Sequence, residues 1–193
     1  MKNNKKKYGD EEIIKYLNEY KKGIQGDIKE GFIICEDLYR FKRREIIKNK
    51  MSMCIPIRFD CYKDEKAKEI NVIDNPDVMY INVKGNIQIM FKLTSEEITS
   101  LKLKEYIDDI QLVLMTLNDD VKIIESDAIT LFDDKKIFWF DYQTYFGNFQ
   151  VYIMFFSIEI QGMLLYGKFS CEYRKSILWK TVFIAMLKTV EII

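Results

Sequence analysis

The last third of the chain, residues 137–190, sets the strongest constraint on the fold. Three strand-like runs follow one another, 137–145, 149–158 and 163–171, and a helical run over about 176–190 closes the chain. Gly147-Asn148 and Gln161-Gly162 separate the runs, and tight hairpins need such glycine–polar pairs to reach positive φ. The runs are rich in Phe, Tyr, Ile, Val and Trp, which suit a pleated surface. Both faces of the second run are apolar, Phe149, Val151, Ile153 and Phe155 on one, Tyr152, Met154, Phe156 and Ile158 on the other. The third run repeats this, with Met163, Leu165 and Phe169 opposite Leu164 and Tyr166. A sheet wetted on one side would alternate apolar with polar. These strands are therefore expected to be covered twice, in an α+β, three-layer α/β/α sandwich whose mainly antiparallel sheet carries helices on both faces.

Two helices are available as covers. In the closing run Trp179, Val182, Phe183, Met186, Leu187 and Val190 fall at steps of three and four, with Ser176 as the expected N-cap and Lys180 and Lys188 off the stripe. A second stripe, Leu103, Tyr106, Ile107, Ile110, Val113, Leu114 and Leu117, predicts a helix over about 101–117 capped by Ser100. Before it, 78–83 and 87–93 read as a hairpin around Lys84-Gly85-Asn86. Residues 31–38 and 39–47 read as extended, either a hairpin around Glu36-Asp37 or one long edge strand, and 51–57 as a short apolar segment ending at Pro56. The stretch 60–71 reads as a charged loop with room for a helical turn, 94–99 as a polar link, and 121–125 and 128–132 as short strands. Asp10 is expected to cap a helix through about Lys22. Residues 1–30 are thus an N-terminal helical extension, and 31–193 a single domain.

Several chemistries are closed to this chain. It has no histidine, which excludes a Ser-His-Asp or Cys-His site, a His-ligated metal and a His proton shuttle. Its 30 basic and 30 acidic residues balance, so no global field points to nucleic acid or membrane. The balance hides an asymmetry: residues 1–50 carry a net +5 and the remainder −5. Cys35, Cys54, Cys61 and Cys171 show no metal-ligand spacing and read as free thiols. No glycine-rich phosphate loop occurs, and no cofactor is expected. The acid pairs Glu96-Glu97, Asp108-Asp109, Asp119-Asp120 and Asp133-Asp134 read as solvated turns and faces rather than paired catalytic carboxylates. The basic run Arg40, Lys42, Arg43 and Arg44 is diluted by Glu36, Asp37 and Glu45 and reads as an edge strand guarded by charge. No secretory signal is read at the start, and no segment has the length of a membrane span. The expected location is the cytoplasm.

One feature exceeds what a fold requires. Around the Gly147 turn, Tyr145, Phe146 and Phe149 are more aromatic than a solvated hairpin tip needs. They are the candidate partner patch, since exposed aromatics anchor interfaces. Full burial of Tyr145 and Phe146 would reduce the patch to core.

The segments MCIPIRFD, VMYINVKGNIQIMFKL and LKEYIDDIQLVLMTLN, and above all GMLLYGKFSCEYRKSILWKTVFIAMLKTV, resemble the PsbP/Mog-like sandwich family, including its DcrB-like bacterial branch. The resemblance covers residues 51–193 and rests on strand order and residue type, notably Gly167, Phe169 and Cys171 leading into a helix with an early Trp179. It implies a binding or assembly protein rather than an enzyme, in a secretion- or toxin-immunity-associated setting. No site residue carries over. The reading is a non-catalytic interaction or accessory protein whose partner is another protein or a second copy, with no nucleic acid and no membrane. The alternative is a small-molecule or lipid binder using a cavity between sheet and helix. A hydrolase or transferase without histidine ranks third.

Overall fold

The computed structural model describes residues 24–71 and 74–193, together with Ile14 and Asn18. The helix expected over 10–22 lies outside the described residues except at those two. The centre is a seven-stranded antiparallel sheet in the order β6-β7-β8-β12-β11-β10-β9. Its strands are β6 (Asp60–Lys63), β7 (Val78–Asn82), β8 (Ile87–Glu97), β9 (Lys122–Thr130), β10 (Lys136–Phe146), β11 (Phe149–Ile160) and β12 (Met163–Glu172). A second sheet, in the order β13-β5-β4, joins β4 (Phe41–Ile47), β5 (Met51–Pro56) and β13 (Glu191–Ile192). A third holds β1 (Gln25–Asp27), β2 (Gly31–Ile34) and β3 (Asp37–Tyr39), so a hairpin straddles residue 30. The helices among the described residues are α1 (Asp64–Ile70), α2 (Leu103–Leu117) and α3 (Ser176–Leu187).

The meander forms as its turns dictate. Gly147 sits at φ 59°, and Gln161 and Gly162 at 53° and 83°. Its two apolar faces are both buried, but by different means. One face presents Trp139, Met154, Phe156, Leu165 and Phe169 to Trp179, Val182 and Phe183 of α3 and to Met51, Met53 and Ile55 of β5. The other presents Phe140, Tyr142 and Phe155 to Ile107 of α2, with Ile110 and Leu114 alongside.

Gly167 allows the first face to close. It lies opposite Phe156 on one neighbour and Phe91 on the other. With no side chain between them, the two rings meet edge to face, 5.9 Å between centroids. Phe156 then stacks on Phe169 at 5.3 Å, Phe169 on Phe183 at 4.5 Å, and Phe183 leans on Trp179 at 5.6 Å. Such aromatic pairs add roughly 0.5–1.5 kcal/mol each beyond their burial.

The α/β/α sandwich is therefore corrected to a sheet-dominated fold of three antiparallel sheets and three helices among the described residues. Two-sided apolarity demands two covers, but it does not say that both are helical. A helix flanked by smaller sheets closes one face, and helices cover only part of the other. Local expectations shift for related reasons. Residues 94–97 continue β8, because their backbone goes on pairing with β12. Residues 60–71 hold a strand and α1. The strands expected at 121–125 and 128–132 are the single strand β9. The β2–β3 hairpin turns at Cys35 and Glu36, both at positive φ, and residues 41–47 pair with β5 instead of with β2. Ser100 bonds Glu159 instead of capping α2, and neither α2 nor α3 has a side-chain cap. The closing helix ends at Leu187, and β13 follows it on β5.

A methyl group at Gly167 would lie 2.3 Å from Phe156 Cζ and 2.6 Å from the carbonyl oxygen of Met90. Because one obstacle is backbone, Gly167→Ala is expected to cost about 3 kcal/mol through overpacking. Urea unfolding should show a lower midpoint with an unchanged slope.

Candidate protein-interaction site

The aromatic tip of the β10–β11 hairpin is exposed. Tyr145 is 48% accessible, and Phe146 and Phe149 are each 75% accessible. The sheet topology accounts for this. Pairing with β9 reaches only Gln143, and pairing with β12 begins only at Val151. Residues 144–150 thus project as a two-stranded ribbon with no strand paired to either edge among the described residues. Phe146 and Phe149 are cross-strand partners, so both rings lie on one face, the face that α2 covers further down. Tyr145 lies on the opposite face, where Gln150 donates to Gln143 at 3.2 Å and ties the strands below the turn. Nothing lies within 4 Å of where a Cβ of Gly147 would sit, so the turn is open to solvent.

Below one side of the tip is a cleft of about 430 Å³ lined by Asn86, Asn148, Phe149, Gln150, Glu172 and Arg174. Its acid is engaged, since Glu172 accepts from Arg174 Nε at 2.6 Å and Lys175 Nζ at 3.2 Å. Burial alone would raise the Glu172 pKa, but those bonds outweigh it and hold the carboxylate below its usual range. A second hollow, between β2–β3 and α3, measures about 150 Å³ and is ringed by Asp37, Lys84 and Lys175 as well as Ile34, Tyr39 and Trp179. Pockets for drug-sized ligands run to roughly 300–1,000 Å³ and are mainly apolar, so this hollow is small and charged for an acyl chain.

A buried polar constellation has no counterpart in the sequence expectations. Asp141 is fully buried on β10 and lies directly opposite Glu125 of β9. Like charges so placed repel. Lys180 resolves the conflict by reaching from α3 to both, 2.6 Å from Asp141 Oδ2 and 2.5 Å from Glu125 Oε2. The Tyr152 hydroxyl donates to the same Asp141 oxygen at 2.8 Å, and the ammonium lies 5.3 Å from the centre of the Trp139 ring. Lys180 thus stands off the apolar stripe as expected, yet it docks on the sheet. An acid within the apolar run Phe138-Trp139-Phe140-Asp141-Tyr142 was the available signal, because a buried carboxylate needs a cation.

Burial holds several tyrosines and one cysteine in their protonated forms. Burial pushes the phenols of Tyr80, Tyr142 and Tyr152 well above their usual range, and that of Tyr106 to about 12. Burial likewise raises the Cys171 thiol. Burial would lower the Lys180 ammonium, but its bonds to Asp141 and Glu125 prevail and raise it. The four expected acid pairs are exposed, and all four cysteines are free thiols. Within the basic strand, Arg43 bonds Ser52 Oγ and the Thr189 carbonyl, each at 3.0 Å, and Glu191 at 2.8 Å, so it staples β4 to the chain's end.

This arrangement of strands and closing helix is a PsbP-like fold. The chain is similar to cyanobacterial PsbP (CyanoP) from Synechocystis sp. PCC 6803, at 14% identity and a TM-score of 0.60, over 81% of this chain and 95% of that one. It is also similar to LpqN, described as involved in cell envelope biogenesis of Mycobacterium tuberculosis, at 8% identity and a TM-score of 0.53, over 84% and 98% of the two chains. At such identities the likeness concerns the fold alone. No family model matches the chain, and neither does any curated protein.

Replacing Lys180 with Met leaves two facing carboxylates, one of them fully buried, without their cation. The expected loss is about 3 kcal/mol, typical of a broken buried pair. Adding Asp141→Asn to Lys180→Met should recover more than half of it in urea unfolding. Because the Lys180 pKa is raised on folding, its contribution is complete at pH 7 and fades only as pH climbs through the folded value.

Proposed function

We propose that this chain is a non-catalytic interaction protein that engages a protein partner through the hairpin tip bearing Tyr145, Phe146 and Phe149. The observation that carries the reading is the exposure of these three aromatic residues on a ribbon with no neighbouring strand. Aromatic side chains offer large contact area with few rotatable bonds, and they dominate interface hot spots. Water does not favour such a patch in an isolated domain, and burial against a partner removes its cost. The protonated tyrosines and cysteine, and the salt-bridged Lys180, support a non-catalytic role. The hollow beside α3 is small and charged, and the larger cleft below the tip is lined mostly by polar residues, which supports the interaction reading over an acyl-ligand binder. The free thiols support a reducing, cytoplasmic setting. The resemblance to the bacterial DcrB-like branch supports an accessory role in secretion or toxin immunity.

A photo-crosslinking residue at position 146 should capture a discrete protein partner in the native cell, and one at position 132, exposed on the β9–β10 turn at the other end of β10, should not. Phe146→Ser with Phe149→Ser should abolish recovery of that partner. Equal capture from both positions, or recovery undiminished by the double substitution, would rule the tip out as the contact.

A further inference from the structure

We infer that the partner's contacting segment carries apolar anchors flanked by lysine or arginine, an inference that rests on the interaction reading above. The tip is not the only uncovered apolar surface at its end of the molecule. Residues 112–117 of α2 read Leu-Val-Leu-Met-Thr-Leu, apolar on nearly every side of the helix. A helix lying on a sheet needs one apolar stripe, with polar residues opposite. Leu114 packs inward, whereas Leu112, Val113, Met115 and Leu117 are exposed, Leu117 to 80%. The helix ends at Asn118, whose side-chain amide reaches Thr144 Oγ1 at 3.5 Å. Phe146 and Phe149 follow within a few residues on the same face of the sheet. Helix end and hairpin tip thus offer two apolar surfaces side by side, more than scattered surface leucines would.

Charge around this surface selects the partner's chemistry. Between residues 102 and 120, five acids stand against two lysines. Lys104 is already held by Asp108 at 2.7 Å. Asp109, Asp119 and Asp120 are exposed beside and beyond the helix's last turns. Interfaces join an apolar centre to a polar rim, and complementary rims steer encounter and exclude wrong partners. An acidic rim favours a cationic one. A symmetric contact between two copies would set acid against acid, and an anionic lipid surface would be repelled for the same reason.

The test uses the full chain and two labelled synthetic amphipathic peptides with the same leucine pattern, one carrying lysine and the other glutamate at the polar positions. Fluorescence anisotropy should show the lysine peptide binding at least about tenfold more tightly, with the preference shrinking as salt rises. Met115→Ser with Leu117→Ser should abolish its binding, Asp119→Lys with Asp120→Lys should erase the preference, and Phe132→Ser, at the far end of β10, should change nothing. All these positions are exposed, so an unchanged melting temperature certifies the fold. Equal binding of the two peptides, binding of neither, or binding unaffected by the helix substitutions would overturn the inference. A concentration-dependent dimer abolished by Met115→Ser with Leu117→Ser would overturn it in favour of a second copy. If crosslinking at position 146 captures a partner while the peptides show no preference, the partner's chemistry is wrong and the interaction reading stands. If both experiments fail, both readings fall.

Discussion

The structure depends on an approach of two rings over a residue with no side chain. Gly167 lies between Phe91 and Phe156 in the middle of the large sheet, and their edge-to-face contact starts an aromatic series that runs through Phe169 and Phe183 to Trp179. Everything on that face is arranged about this series. It seats α3, and α3 in turn gathers β5 of the second sheet into the same core. Lys180 of α3 bridges both Asp141 and Glu125, and so lets β10 carry a fully buried carboxylate at a point where β9 would otherwise set acid against acid.

The two faces are satisfied unequally. The α3 face is closed by a helix and small sheets that interlock. On the other face, α1 and α2 cover less than the sheet offers, and α2 leaves exposed leucines and a methionine near its end. The ribbon of residues 144–150 then continues past every neighbouring strand. A molecule whose core is otherwise packed with aromatics thus ends in an apolar corner with acids around it. That asymmetry is the feature on which the proposed interaction role rests.

Much of this was legible in the sequence. The meander, both of its turns, its two apolar faces, the stripe of α3 and the aromatic tip all follow from local pattern, because strand period and turn chemistry are local properties. The nature of the covers was not legible, since apolar strand faces accept a helix or a sheet alike. β13 is a two-residue strand whose existence depends on β5, and no short-range signal marks it. The extent of β9 is set by pairing with β10, with a register shift between Asp141 and Tyr142. Met115 and Leu112 lie off the stripe of α2, and only the structure shows how exposed they are. Asp141 could have been singled out as an acid inside an apolar strand, but its partner lay some forty residues away on a helix whose lysine pattern reads as ordinary solvation.

The central claim is that the tip aromatics are surface and not core. Equilibrium unfolding of Phe146→Ser with Phe149→Ser tests it directly. An exposed cross-strand pair contributes roughly 0.2–1 kcal/mol, so the double variant should lose about 1 kcal/mol or less. Removing a buried Phe costs about 3–5 kcal/mol, and a loss in that range would show that the tip is part of the core and would contradict the account.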